Sequence, residues 1–241
     1  MIIQKYYNEV LSILKRINST QIDKIEKVAD LVADVIKDDG IIYIFGCGHS
    51  HLIGLDAFYR AGGLANVCAM LDTDLMLHNG AAKSSKLEKM SGIAKPILDR
   101  YCLTKKDMLI VVSTSGKNTV PVEMAVEAQK RGMPTVGIFS SAYFGDVSDK
   151  GRLLAGNVDV GIDNCVCYGD AVIDVPACKT KMGSVSTIAS SFIIQSLLLE
   201  GAAKASEKGY TPTVYMSGNV PGGSEFNKEI INNFYPRIKH L

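Results

Sequence analysis

No Cys-x-x-Cys spacing occurs anywhere in this chain of 241 residues. Its cysteines are Cys47, Cys68, Cys102, Cys165, Cys167 and Cys178, and the one close pair, Cys165-x-Cys167, is not a zinc-ligand spacing. The six therefore read as reduced, buried thiols of a cytoplasmic protein, with no metal expected. Charge of one sign is lacking as well: 26 basic residues balance 25 acidic ones to a net +1. No basic run or stripe is long enough for a nucleic-acid or membrane surface. The amino-terminal MIIQKYYNEVLSILKRI carries charges every few residues, so it is neither a signal peptide nor a span, and no apolar stretch of ~18 residues is evident elsewhere. Repeats, low-complexity linkers and compositional breaks are also missing. These absences leave a small molecule or another protein as the expected partner.

What is present is a hydrophobic fraction of 47%, enough for the core of one α/β domain over residues 1–241. Tyr7, Val10, Leu11, Leu14 and Ile17 recur at helical spacing. A second helical face, from Ile22 to Ile36, follows a Ser/Thr cap signal and stops at Gly40. The run Ile41 to Phe45 is almost wholly apolar, as in a strand covered on both sides. Beyond it the pattern alternates. HLIGLDAFYRAGG reads as a helix, ANVCAML as a strand, residues 84–101 as one helix and DMLIVVS as a strand. TVPVEMAVEAQKRG is a helix, PTVGIFS a strand, and NVDVGIDN a fifth strand that also fits an edge position. SVSTIASSFIIQSLLLEGAAKASEKG is a long helix, apolar nearly all round, with Ser184, Ser186 and Thr187 as expected caps. The subdivision expected is helices over 1–38, an α/β core over 39–210, and a terminal loop and short helix over 211–241. Strands alternating with helices imply βαβ units and a parallel sheet. Ligands of such sheets bind beyond the carboxyl ends of the strands.

Two loops leave such ends. The more informative is VVSTSGKNTVPVEMA, in which Ser113, Thr114 and Ser115 supply three hydroxyls and Gly116 permits a tight turn. The helix starting near Thr119 aims free N–H groups and its positive dipole end at the same spot, as a phosphate monoester requires. A ligand-free Ser/Thr cap is the plainer alternative. The other loop is Gly46-Cys47-Gly48-His49-Ser50. Its Gly-x-Gly continues to His51, so the third glycine of a dinucleotide fingerprint is missing, and no P-loop exists. No cofactor is expected, and the phosphate belongs to a small metabolite.

S-T-S-G-K-N-T after an apolar strand resembles the Ser-x-Ser-Gly-x-Ser/Thr phosphate loop of SIS (sugar isomerase) domains. Gly46 to Ser50 is similar to the matching first-strand loop, and the order of elements agrees over nearly the whole chain. The sequence looks most similar to a single-SIS-domain subgroup related to phosphoheptose isomerases. One departure is Asn118, where the family usually carries Ser or Thr; an amide can still donate to phosphate, and Thr119 is adjacent. The resemblance implies a flavodoxin-like three-layer α/β/α sandwich with a five-stranded, mostly parallel sheet and an amino-terminal helical extension. It also implies a phosphosugar ligand, held by residues 46–48, Ser50, residues 113–116, Asn118 and Thr119, in a homodimer or dimer of dimers.

Aldose–ketose isomerisation needs a base beside a carbonyl and an acid for the oxygens. The resemblance points to a glutamate between the second and third strands, and Glu88 stands there, equally readable as a solvated residue between Lys86 and Lys89. Of the histidines, His49 lies within the loop and His51 at a helix start, too divergent to share a metal. His78 precedes the Glu88 helix and could enter a neighbouring subunit's site. At least one of the three is an ordinary surface residue. Asp163 and Asn164, at a strand end, could close over a sugar, as could Asp170; Asn219 reads as a turn. The expected activity is sugar-phosphate isomerisation. A non-catalytic sugar-phosphate sensor and an amino-sugar-phosphate lyase or etherase stay open.

Overall fold

The structure, a computed structural model, describes residues 1–145 and 149–241. Five parallel strands form the sheet: β1 (Ile42–Gly46), β2 (Val67–Met70), β3 (Met108–Val112), β4 (Thr135–Phe139) and β5 (Val160–Asp163), in the order β2-β1-β3-β4-β5. Alternate side chains enter two separate cores. Ile42, Ile44, Ile110 and Ile138 face one way and Tyr43, Phe45, Leu109 and Val111 the other, all essentially without exposed surface. This explains why the strands read as continuous apolar runs.

The first core is closed by α1 (Ile2–Thr20), α2 (Ile22–Lys37), α3 (His51–Ala57) and α7 (Ser186–Glu207), and the second by α5 (Ala94–Leu98) and α6 (Thr119–Lys130). The result is the expected α/β/α sandwich. The edge alternative for the fifth strand is the one observed: among the described residues β5 pairs only with β4, from Val136–Val160 to Phe139–Asp163.

Several local readings are corrected. Residues 84–101 are two helices. α4 (Ala81–Leu87) ends at Glu88, Gly92 turns the chain at φ 86°, and α5 begins at Ala94. α3 stops at Ala57, well before Gly62-Gly63. The expected Ser/Thr cap of α2 belongs instead to α1, where Ser19 and Thr20 Oγ donate back to the Arg16 carbonyl at 3.1 and 2.7 Å; Gln21 separates the helices. Nor do serines cap α7. Asp170 does so from a distance, accepting from the Val185 and Ser186 amides at 3.0 and 2.8 Å and from Ser186 Oγ at 2.6 Å. Asp170 reaches that position through an antiparallel hairpin with no counterpart in the sequence reading, β6 (Ala171–Ile173) paired with β7 (Met182–Ser184).

The cysteines are all free, but only Cys47 and Cys68 are buried. Cys167 and Cys178 lie on the hairpin excursion, outside the cores, and Cys102 on the exposed approach to β3. α7 is also more apolar than expected: by length and composition it could cross a membrane. In the fold it packs along α2 and α3. Asn164 Nδ2 donates to its Ser190 Oγ at 3.3 Å, and its Gln195 Nε2 donates to Asp56 at 3.0 Å.

The carboxy-terminal segment, with α8 (Gly223–Phe234), is clamped to the amino-terminal edge of the sheet. Arg237 Nη2 reaches both oxygens of Asp107, at 2.7 and 2.8 Å. Asp107 has no exposed surface and also accepts from the Ile41 and Thr104 amides at 2.8 and 2.6 Å.

Candidate functional site

β1 and β3 are neighbours, and Gly46 pairs in register with Val112. β1 connects outward to β2 on one side and β3 to β4 on the other, so the two loops emerge together at the sheet's switch point. The expectation that both loops share one sheet edge therefore holds.

The first loop folds back over its own strand. A Cβ on Gly46 would stand 2.5 Å from the Ser50 carbonyl carbon and oxygen, so no other residue fits. Residues Gly48–Ser50 form one 3-10 turn that runs into α3. The second loop is built around Gly116, left-handed at φ 60°. Its amide donates to the Ser113 carbonyl at 2.9 Å and Ser113 Oγ at 3.3 Å, and its carbonyl accepts from the Leu154 amide at 2.8 Å. Ser113 is buried; Thr114 and Ser115 are half-buried. Asn118 is the N-cap residue of α6, yet its side chain makes no capping bond and is left for other work.

Glu88 arrives here because the end of α4 is tied to the start of α6. The Val120 amide donates to the Glu88 carbonyl, and Thr119 Oγ1 to the Lys89 carbonyl, each at 3.0 Å. Thr119 thus serves the framework and faces away from the loop's hydroxyls. A cavity of about 230 Å³ then gathers Glu88, His49, Ser50 and Cys47 with Ser113 to Ser115 and Asn118. Burial pushes the half-buried Glu88 carboxyl above the ordinary carboxylate range; the Asn118 amide and the Lys89 charge offset part of that rise. The Cys47 thiol is pushed up by burial and then by the Glu88 and Asp72 charges, which keeps it protonated and non-nucleophilic.

The cavity is also lined by Tyr143 and Ser186, which the sequence did not place in the site, and by Asp170, named there as able to close over a sugar. Tyr143 comes from a turn after β4, and its hydroxyl accepts from the Gly169 amide at 3.0 Å. Burial raises its phenol's pKa, so it stays a neutral donor. The polarity of the segment 163–170 was the available signal for Asp170; nothing local marked Tyr143.

Other candidates lie elsewhere. His78 is exposed and does not line the cavity; its ring stands edge-on to His51, centroids 6.2 Å apart. His51 is buried, with Nδ1 bonded to the Gly48 carbonyl, which fixes the Nδ1–H tautomer. Burial, aided by His78 and His49, holds its pKa below the ordinary value. Asp163 is spent on the turn after β5, where it accepts from Ser141 Oγ and, at 2.8 Å, from the Cys165 amide. Asn164 is fully buried between Ser190 and the Val166 amide. Among the described residues no three of His, Cys, Asp and Glu gather as a metal-binding group. The arrangement can hold an anion against hydroxyls and a helix N-terminus, and can move a proton beside it.

Comparison with known proteins agrees with this geometry. A SIS-domain family profile matches residues 5–140. A UPF0309 protein of Caldanaerobacter subterraneus subsp. tengcongensis is 40% identical over 242 residues, covering 98% of each chain. The structure of the phosphoheptose isomerase of Neisseria gonorrhoeae superposes with TM-score 0.52 at 14% identity, covering 83% of this chain and 97% of that one. A Bacteroides fragilis protein described as a putative phosphosugar isomerase involved in capsule formation gives 0.53 at 18% identity, covering 87% and 91%. With its hydroxyl-rich loop at the switch point of a 2-1-3-4-5 sheet, this chain belongs to the SIS-domain family.

Proposed function

We propose that the protein binds a phosphorylated sugar in the cavity between β1 and β3 and interconverts its aldose and ketose forms, acting as a homodimer. The observation that carries this is one cavity holding both a phosphate-type cradle and a carboxylate of raised pKa. The phosphoheptose and phosphosugar isomerases among the structural neighbours are consistent with it.

Ser113, Thr114, Ser115 and Asn118 hold the phosphate, with the α6 N-terminus supplying backbone donors and positive potential. Glu88 takes the proton from C2 of the open-chain aldose, and the electrons move onto the carbonyl oxygen at C1. His49 delivers a proton to that oxygen, giving an enediol. Glu88 returns its proton to C1 while His49 recovers one from the C2 hydroxyl, which leaves the ketose. Tyr143 and Ser186 offer neutral hydroxyls to the sugar.

The test is proton NMR in deuterated water with a panel of aldose and ketose phosphates. Exchange of the C2 proton is expected for at least one member, and its loss in Glu88→Gln with binding retained. A panel that binds but never exchanges would leave the protein a sensor and sink the isomerase reading.

A further inference from the structure

The largest cavity bordering the phosphate loop is not the one described above. On the other side of residues 113–119 lies a cavity of about 480 Å³, lined by Lys117, Thr119, Val122, Glu123, Arg152 and Leu153. Thr119, Val122 and Glu123 share one face of α6. Lys117 and Arg152 face them with two positive charges, and among the described residues neither enters an ion pair. Among the described residues the one carboxylate lining it, Glu123, is already engaged: it accepts from Ser91 Oγ at 2.5 Å and from the Gly92 amide at 2.8 Å. Val122 and Leu153 give the cavity an apolar floor.

The walls are wired to the other cavity. The residue after Leu153, Leu154, donates its amide to the Gly116 carbonyl at 2.8 Å. The opposite wall, α6, holds the Glu88 carbonyl through the Val120 amide and fixes the following turn through Glu123. Whatever draws Arg152 toward α6 therefore acts on both the phosphate loop and the Glu88 segment.

We propose that this cavity is a second anion-binding site, taking a small molecule with a phosphate or carboxylate on an apolar or ring body, and that its occupancy is coupled to the loop at Ser113 to Gly116. The site itself stands without the isomerase reading; only the meaning of the coupling rests on it.

The test titrates the full chain with inorganic phosphate by 31P NMR, alongside amide hydrogen exchange. Wild type is expected to show two classes of site. Ser115→Ala should remove one and leave the other. Arg152→Met, and the double variant with Lys117→Met, should weaken the other at least tenfold and spare the first. A Lys15→Met/Lys24→Met control, which removes two remote exposed charges, should keep both. Phosphate should slow exchange at the Leu154 and Val120 amides in Ser115→Ala protein, and not once Arg152→Met is added. One class of site, abolished by Ser115→Ala and indifferent to Arg152, would overturn the proposal. Two classes with only the Arg152 class sensitive to mutation would uphold it while removing the phosphate role given to Ser115.

Discussion

Glu88 concentrates the residue-scale argument. Burial raises its carboxyl pKa, so the folded state holds that proton more tightly than the unfolded chain does. Its contribution therefore favours folding below the unfolded value of about 4.3 and is lost as pH rises through the raised value. At pH 7 the ionised carboxylate works against folding. Glu88→Gln should consequently unfold at or above the wild-type temperature at pH 7, with the gain vanishing near pH 4 in calorimetry. The same substitution removes the proposed base and should lower kcat by roughly 10²–10⁴-fold while leaving KM nearly unchanged. The acidic limb of kcat/KM should sit above the ordinary carboxylate range and disappear from any residual activity of the variant. A variant that is both less stable and fully active would show that Glu88 is a framework residue. The sequence alone left Glu88 balanced between base and solvated surface, because the lysines around it fit either. What decides its environment is the Val120–Glu88 contact, formed between residues far apart in the chain.

At the scale of elements, the parallel sheet was legible because burial on both faces makes each strand a continuous apolar run. The loops were legible because a Cβ at Gly46 would meet backbone and Gly116 takes a left-handed turn that favours glycine. Less legible were features that depend on distant partners. The break between α4 and α5 is set by docking onto α6, and the cap of α7 comes from Asp170 across the β6–β7 hairpin. Gly46→Ala tests the loop reading. Its methyl would collide with backbone at Ser50, not with a flexible side chain, so the loop must shift. Overpacking of this kind costs about 1–3 kcal/mol. Chemical denaturation should show that loss, and ligand binding should fall with it. Arg237→Ala tests the clamp at the opposite edge. It strips the charged partner from a carboxylate with no exposed surface, a loss of about 3 kcal/mol. Arg237→Lys should recover only part, because one ammonium cannot reproduce the two-oxygen contact. Equal stability of all three proteins would mean that the backbone donors to Asp107 suffice.

For the whole molecule, the surface bears on the proposed homodimer. Leu52 and Leu55 on α3, and Ile188 and Leu199 on the adjoining α7, remain 38–65% exposed on helices that pack together. A second copy covering that face would remove apolar area from water at about 25 cal/mol per Å². Leu199→Glu should then halve the sedimenting mass; an unchanged monomer in wild type would discard the dimer. Ligand binding is read at the same scale, since anything that binds only the folded state stabilises all of it. A phosphosugar at 100 times its Kd adds about 2.7 kcal/mol. At roughly 2–4 °C per kcal/mol for a chain of this size, the unfolding midpoint should rise by about 5–11 °C. Ser115→Ala removes one charge-assisted hydrogen bond, a loss of about 1.5–3 kcal/mol, so binding should weaken about ten- to a hundredfold and about half or more of the shift should vanish. The unphosphorylated sugar should give no shift in either protein. If it shifted the midpoint as far as its phosphate ester, the hydroxyl loop would be holding the sugar ring, and the anion site would have to be sought on the other side of Lys117.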